Sequence, residues 1–238
     1  MARAGIPLLA VLIDADNSSP KWAEAIFEEI ASLGEASVRR IYGDFSRAQM
    51  GGWQNKLPTL ALVPHHQPAN TVGKNSSDIA LVIDAMDLLH SGRFDGFVLV
   101  SSDSDFTRLA SRIREQGLDV YGIGEQKTPE AFRKACKRFI FIENLLAVPG
   151  PDTATTDTRE APSKAVPLIK NAMQAIDKDQ EWFALGRLGQ AIQASHPDFD
   201  SRTYGCAKLS DLVRKAGEFE TRSNGNQIEV RVKPRKKG

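Results

Sequence analysis

The run Gly96-Phe97-Val98-Leu99-Val100 is apolar without alternation and ends in Ser101-Ser102-Asp103-Ser104-Asp105-Phe106, after which a helical pattern begins at Thr107. An unbroken apolar run bounded by turn residues fits a strand covered on both faces, as in a parallel sheet enclosed by helices. Two carboxylates one residue apart at the carboxyl end of such a strand stand where open α/β sheets bind their ligands. Clustered carboxylates repel one another unless a cation lies among them. The turn therefore constrains both the fold and the chemistry.

The same design opens the chain. Leu8 to Ile13 is unbroken apolar sequence and closes on Asp14-Ala15-Asp16-Asn17. Ser18, Ser19 and Pro20 supply the start of a helix with Ala23, Ile26, Phe27, Ile30 and Leu33 on one face, and Gly34 stops it. A strand is expected at 36–42, a helix at 47–57 interrupted by Gly51-Gly52, and a short strand at 60–63. Residues 64–73 read as a surface loop carrying His65 and His66, to which no role is given. A helix over 75–89 has Ile79, Ile83, Met86 and Leu89 at helical spacing, which puts Lys74 and Asp78 at its amino end. Strands at 118–123 and 138–142, with a short helix opened by Pro129, complete an alternation that predicts a parallel, three-layer α/β sandwich.

At 238 residues the chain is long for one domain. Pro149 to Pro167 is rich in Pro, Thr, Asp, Ser and Ala without apolar periodicity, and reads as a flexible linker between a first domain at 1–148 and a second at 168–238. Residues 1–148 carry 16 Lys and Arg against 18 Asp and Glu, and residues 149–238 carry 15 against 12, so the second part is the basic one. Without a long basic patch on the first domain, affinity for a polyanion would rest on the second domain or on a homo-oligomer. Cys136 and Cys206 lie inside helical patterns and build no disulfide framework, which fits a reducing, cytoplasmic compartment. The apolar stretch after Arg3 meets Asp14 and Asp16 at once and reads as a strand, not a signal segment. No stretch approaches the ~20 apolar residues that span a bilayer, so no membrane partner is expected.

The chemical candidates are Asp14 after the first strand, Asp78 at a helix start, and Asp103 and Asp105 after the central strand, because all three segments can meet at the carboxyl edge of one sheet. Oxygen ligands without Cys or paired imidazoles nearby select Mg²⁺ or Mn²⁺ over zinc. A cation held by carboxylates and substrate phosphate suits hydrolysis of a phosphodiester. Each Asp also has a plainer reading as the cap of its own turn. Asn17 orients Asp14 or the substrate, or caps the helix. Lys74 contacts a phosphate or pairs with Asp78 at i,i+4. Asp16 is expected outside the ligand set, and Ser101 and Ser102 are expected to hydrogen bond the phosphate or a water of the metal. Asp84 and Asp87 read as solvated or helix-pairing charges.

Ile13-Asp14-Ala15-Asp16-Asn17, Lys74-Asn75-Ser76-Ser77-Asp78 and Val100-Ser101-Ser102-Asp103-Ser104-Asp105-Phe106 resemble, in this order and spacing, the three signature segments of NYN domains in the PIN-like ribonuclease superfamily. The resemblance covers residues 6 to 147. It implies a PIN-like sheet and a metal-dependent nuclease acting on RNA, with Asp14, Asp78, Asp103 and Asp105 at the acidic positions and Asn17 as their polar companion. Ser102 stands where that family often has Gly. Some PIN-like domains serve as binding scaffolds, so the competing expectation is a catalytically silent RNA-binding or adaptor protein. Asp14-Ala15-Asp16-Asn17-Ser18 also resembles the nucleophile loop of haloacid-dehalogenase-like phosphatases, with Asp14 as nucleophile and Asp16 as acid/base. The helix that follows at once leaves no room for that family's cap elements.

In the second part, helices around Leu168 to Ile176, Leu185 to Ile192 and Leu209 to Ala216 precede two short strands about Asn224-Gly225-Asn226, a hairpin signal. Helices followed by a hairpin describe a winged helix. Trp182-Phe183-Ala184-Leu185-Gly186-Arg187-Leu188-Gly189 and Phe199 through Gly217 resemble the LOTUS domain, also called OST-HTH, which implies RNA binding or docking of a protein partner. Arg202, Lys208, Lys215 and the basic tail at 233–237 are the candidate RNA contacts. Asp211 pairing with Lys215 is the plainer alternative, and Trp182, Phe183 and Tyr204 are expected in the core.

Overall fold

The computed structural model of the chain describes residues 5–66, 76–145 and 159–234. The chain divides into two compact units, Met1–Leu146 and Ala147–Gly238. The first holds a six-stranded sheet made of β1 (Leu8–Asp14), β2 (Glu35–Gly43), β3 (Val63–His66), β4 (Gly96–Val100), β5 (Asp119–Gly124) and β6 (Arg138–Phe141). Every neighbouring pair is parallel, in the order β3-β2-β1-β4-β5-β6. The helices are α1 (Ala23–Leu33), α2 (Gly51–Gln54), α3 (Ser76–His90), α4 (Thr107–Glu115) and α5 (Glu130–Ala135).

The apolar runs place the two cores. Along β1, Leu9, Val11 and Ile13 pack on one face with Ile26 and Ile30 of α1 and Trp53 of α2. Ala10 and Leu12 pack on the other with Leu81, Ala85 and Leu89 of α3 and Leu109 and Ile113 of α4. Each fully buried Leu, Ile or Phe is worth about 1.5–3 kcal/mol, so these interleaved rows fix strand order and register. The chain runs outward from β1 to β2 and β3 on one side, and from β4 to β5 and β6 on the other. The loops after β1 and β4 therefore part at the centre of the sheet, which opens a crevice at the carboxyl edge.

Three sequence expectations need correction. The third strand is Val63–His66, and His65 and His66 belong to it rather than to a loop. It is an edge strand, and an edge tolerates Pro64, which lacks a backbone donor. The helical stretch at 47–57 is reduced to a 3₁₀ turn at Ala48–Met50 and α2, which starts at Gly51 instead of breaking there. Gly52 answers to packing, since a Cβ on it would lie 2.7 Å from Pro20 Cγ. On α3, Ile79 and Ile83 are 61% and 56% exposed. The face on the sheet is Ser77, Leu81, Ala85 and Leu89.

The second unit comprises α6 (Val166–Ile176), β7 (Phe183–Ala184), α7 (Leu185–Ser195), α8 (Leu209–Lys215), β8 (Phe219–Asn224) and β9 (Gln227–Val232). The three strands form an antiparallel sheet in the order β7-β9-β8, giving a winged-helix arrangement. Gly225, at φ 58°, starts the two-residue turn between Asn224 and Gln227, a position that favours glycine. Ile169, Met173, Leu188, Ile192, Leu212, Val213, Phe219 and Val230 form the core. The expected linker is shorter than 149–167. Glu160 N–H donates to the Thr203 carbonyl at 2.8 Å, Pro162–Ala165 forms a 3₁₀ turn, and Ala165 is wholly buried. Small apolar side chains hid this packing from periodicity. Residues 149–158 lie outside the described residues.

Candidate active site

Asp14 is the last residue of β1 and 1% exposed. Alternation puts it on the same face as Ala10 and Leu12, and it pairs in register with Tyr42 of β2. Its carboxylate collects four donors. Oδ1 accepts the N–H groups of Asp16 at 3.1 Å and Asn17 at 3.2 Å. Oδ2 accepts Asn17 Nδ2 at 2.9 Å and the Ser101 hydroxyl at 2.7 Å. Burial raises the Asp14 pKa against the opposing pull of the Ser101 and Asn17 hydrogen bonds.

Ser101 joins the two central loops. Its hydroxyl donates to Asp14 and accepts Asp103 N–H at 3.0 Å, and the residue is 2% exposed. It is therefore committed inside the protein rather than turned toward a ligand as expected. Ser102 Oγ accepts Glu125 N–H at 2.9 Å, which ties the loop after β4 to the loop after β5. Asp103 Oδ1 accepts Asp105 N–H at 2.9 Å and caps the 3₁₀ turn Ser104–Phe106. Among the described residues nothing donates to its Oδ2. Asp105 is exposed.

The third segment arrives on α3. Ser77 donates to Asp16 Oδ2 at 3.0 Å and docks the start of the helix on the loop after β1. Asp78 follows in the first helical turn. Its pKa is pushed up to about 6, first by burial and then by the charges of Asp14, Asp103, Asp16 and Asp105. Five carboxylates from three segments thus act on one another, and Asp16 is among them. Asp16 is expected outside the ligand set, and the hydrogen bond from Ser77 holds its carboxylate beside the start of α3.

A cleft of about 500 Å³ opens beside these groups, lined among others by Asp16, Asn17, Asp103, Glu125 and Lys127. Glu125 and Lys127 belong to the loop after β5. They carry no motif, but the carboxyl-edge rule that singled out the other loops also applied to theirs. The candidate ligand atoms are carboxylate oxygens, a donor type that suits Mg²⁺ or Mn²⁺. Among the described residues, no three His, Cys, Asp or Glu side chains are already drawn together closely enough to hold a metal ion. Asp14, Asp16 and Asp103 are each held by their own N–H or O–H donors, which keeps these like charges apart. The surplus of negative charge is what a divalent cation would relieve, so the residues suit the ion in charge and in chemistry.

The other candidate residues are scattered or differently engaged. Lys74 lies outside the described residues. Arg202 is clamped to Asp200 through Nε at 2.9 Å and Nη2 at 2.7 Å. Lys208 and Lys215 flank α8 and are exposed. Asp211 pairs with Arg214 at 3.7 Å instead of Lys215. Trp182 is half-buried at the sheet surface, with the guanidinium carbons of Arg222 and Arg231 at 4.1 and 4.6 Å from its ring. Asp84 is neither solvated nor paired along its helix; it accepts Arg40 at 2.8 Å and Tyr42 Oη at 2.9 Å, with His65 Nδ1 at 3.1 Å.

Two domain profiles match the chain. The NYN domain profile matches residues 8–143, and the OST-HTH/LOTUS domain profile matches residues 156–230. No curated protein matches the chain. A crystal structure of a protein of unknown function from Vibrio parahaemolyticus is similar at 19% identity and a TM-score of 0.48, covering 58% of this chain and 94% of its own. A solution structure of an uncharacterized protein from Nitrosomonas europaea is similar at 32% identity and a TM-score of 0.28, covering 37% of this chain and 90% of its own.

Proposed function

We propose, on the premise that this chain belongs to the NYN domain family, that it is a divalent-metal-dependent endoribonuclease whose winged-helix unit recruits the RNA. The observation that carries this reading is the like-charge cluster at the crevice, where Asp78 is pushed up to about 6 by burial and by four neighbouring aspartates. A purely structural carboxylate is matched by donors or cations, whereas clustered carboxylates in a cleft mark a site built for a ligand of opposite charge. Asp14, Asp78, Asp103 and Asp105 are the residues that would hold Mg²⁺ or Mn²⁺. The ion supplies charge that neutralises a phosphodiester and lowers the pKa of an attacking water.

The chain's own residues prepare that site. Asn17 and Ser101 hold Asp14 in one orientation through Oδ2. Ser101 also fixes the loop that carries Asp103. Asp103 turns one oxygen to its own cap and leaves the other for the cleft. Asp16 keeps α3 in place through Ser77 and adds negative charge beside Asp78. The OST-HTH/LOTUS match supports RNA as the partner of the second unit, with Lys208 and Lys215 as its phosphate contacts. Two free, buried cysteines fit a reducing, cytoplasmic setting.

The test is cleavage of single-stranded and structured RNAs by the full chain, with and without Mg²⁺ or Mn²⁺. Cleavage that needs the metal and falls at least about 10³-fold in Asp103→Asn supports the reading. An intact RNA panel with the metal bound, or an Asp103→Asn variant equal to the parent, overturns it in favour of an adaptor.

A further inference from the structure

The cleft is acidic, yet the polymer it is proposed to cut is a polyanion. Asp16 and Asp103 line the cleft and, with Asp14 and Asp105, act on Asp78 beside it; five carboxylates outweigh even two divalent cations. Glu125 adds another carboxylate to the wall. A phosphate entering there needs a cation from the protein, and among the described lining residues that cation is Lys127.

The loop that carries Lys127 is built to hold it. Gly124 lies against β4 so closely that a Cβ would meet the Ser101 carbonyl oxygen at 2.5 Å. Glu125 N–H is bonded to Ser102, and Gln126 N–H donates to Glu143 Oε1 at 2.9 Å. Thr128, 2% exposed, donates through its hydroxyl to the Glu125 carbonyl at 2.6 Å. The backbone before Lys127 is thereby tied to the loop that bears Asp103 through Glu125 and to the turn after β6 through Gln126, and Thr128 closes the loop on itself. Its side chain is 74% exposed, and Nζ lies 2.8 Å from Glu125 Oε2. A second acceptor is close: Glu143 Oε2 is buried without a hydrogen-bond partner among the described residues.

We propose that Lys127 is the phosphate-binding residue of this cleft, holding the RNA backbone beside the carboxylates, and that Glu125 is its counter-ion when RNA is absent. The assignment rests on the reading of the protein as an RNA-cleaving enzyme. RNA displaces Glu125 from the ammonium, exchanging one anion for another. Lys127 acts on binding, so its loss appears in KM more than in kcat.

The test measures RNA cleavage by the full chain at several salt concentrations, in Mn²⁺, for the parent, Lys127→Ala, Lys127→Arg and Glu125→Gln. For Lys127→Ala the expected result is a KM raised about tenfold with kcat within about twofold. The slope of log KM against log salt should become shallower by about 0.7, the loss of one phosphate contact on a single strand. Lys127→Arg should restore both, and Glu125→Gln, which frees the lysine, should lower KM severalfold. If the parent cleaves RNA but Lys127→Ala keeps its KM and salt slope, or Glu125→Gln raises KM, this assignment is wrong and the nuclease reading stands. If the parent cleaves nothing, the nuclease reading fails first.

Discussion

Asp78 and Asp84 lie six residues apart on α3, and their surroundings are opposite. Asp84 is met by Arg40, the Tyr42 hydroxyl and the ring of His65, three groups from β2 and β3 that donate to or neutralise one carboxylate. The Tyr42 pKa is raised by burial and then by its bond to Asp84, and His65 is lowered mainly by burial despite Asp84. Tyr42 and His65 also stack at 4.9 Å between centroids. Among the described residues, the charges acting on Asp78 are those of further acids, and its proton is held up to about 6. One helix thus carries a satisfied charge and an unsatisfied one, and the difference separates a structural residue from a ligand-binding one.

The largest way to break the balanced end is Asp84→Ala. It leaves Arg40, Tyr42 and His65 without their shared acceptor and should cost about 3 kcal/mol, since the pair is only 29% and 22% exposed. A thermal melt should fall by roughly 10 °C, while RNA cleavage per folded molecule stays within about twofold. A variant as stable as the parent would show that the network is ornamental.

At the unbalanced end, the next effect is metal addition. Mn²⁺ at 100 times its dissociation constant should stabilise the parent by about 2.7 kcal/mol, read as a rise in melting temperature. The same titration on Asp84→Gln should give a similar rise, and on Asp103→Asn a much smaller one. Equal shifts in all three would place the metal elsewhere.

The smallest effect is the sharpest in sign. Asp78 holds its proton more tightly folded, at about 6, than its ordinary 3.8, so the folded state binds more protons between those values. Metal-free stability therefore falls as pH rises from about 4 through 6 and is level above that. Discounted for the solvent exposure of the group, the charged form costs about 1 kcal/mol at pH 7. Asp78→Asn should remove that slope and stabilise the metal-free protein by this amount, measured by denaturant unfolding at pH 5 and pH 7.5. A slope unchanged by the substitution would mean that Asp78 is not the group under strain.

Much of this contrast could be read in the chain, and the rest depended on partners distant in sequence. The strands β1 and β4 declare themselves, because Leu9 to Ile13 and Phe97 to Val100 are buried on both faces and so carry no polar positions. The acids that end them follow directly. β3 was hidden because Val63-Pro64-His65-His66 is a strand only by virtue of its pairing with Arg40 to Gly43. The buried face of α3 is not legible because the helix is apolar on several sides, with Ile79 and Ile83 exposed while Leu81 and Ala85 meet the sheet. Period alone cannot choose between such faces. The contact of Asp16 with Ser77 is not legible in the chain, because it joins residues 61 positions apart. Lys127 has no signal beyond its place after a strand, and the partners of Asp84 come from β2 and β3, 19 to 44 residues away in the chain.

The central claim is that the unsatisfied carboxylates around Asp78 are a metal site. Crystals of the full chain soaked in Mn²⁺, with data collected at the manganese absorption edge, test it directly. The account predicts an anomalous peak at the crevice within about 2.1 Å of carboxylate oxygens from the set Asp14, Asp78, Asp103 and Asp105, absent from crystals of Asp103→Asn. A soaked crystal with Asp78 still facing bare acids and the ion bound elsewhere would contradict it.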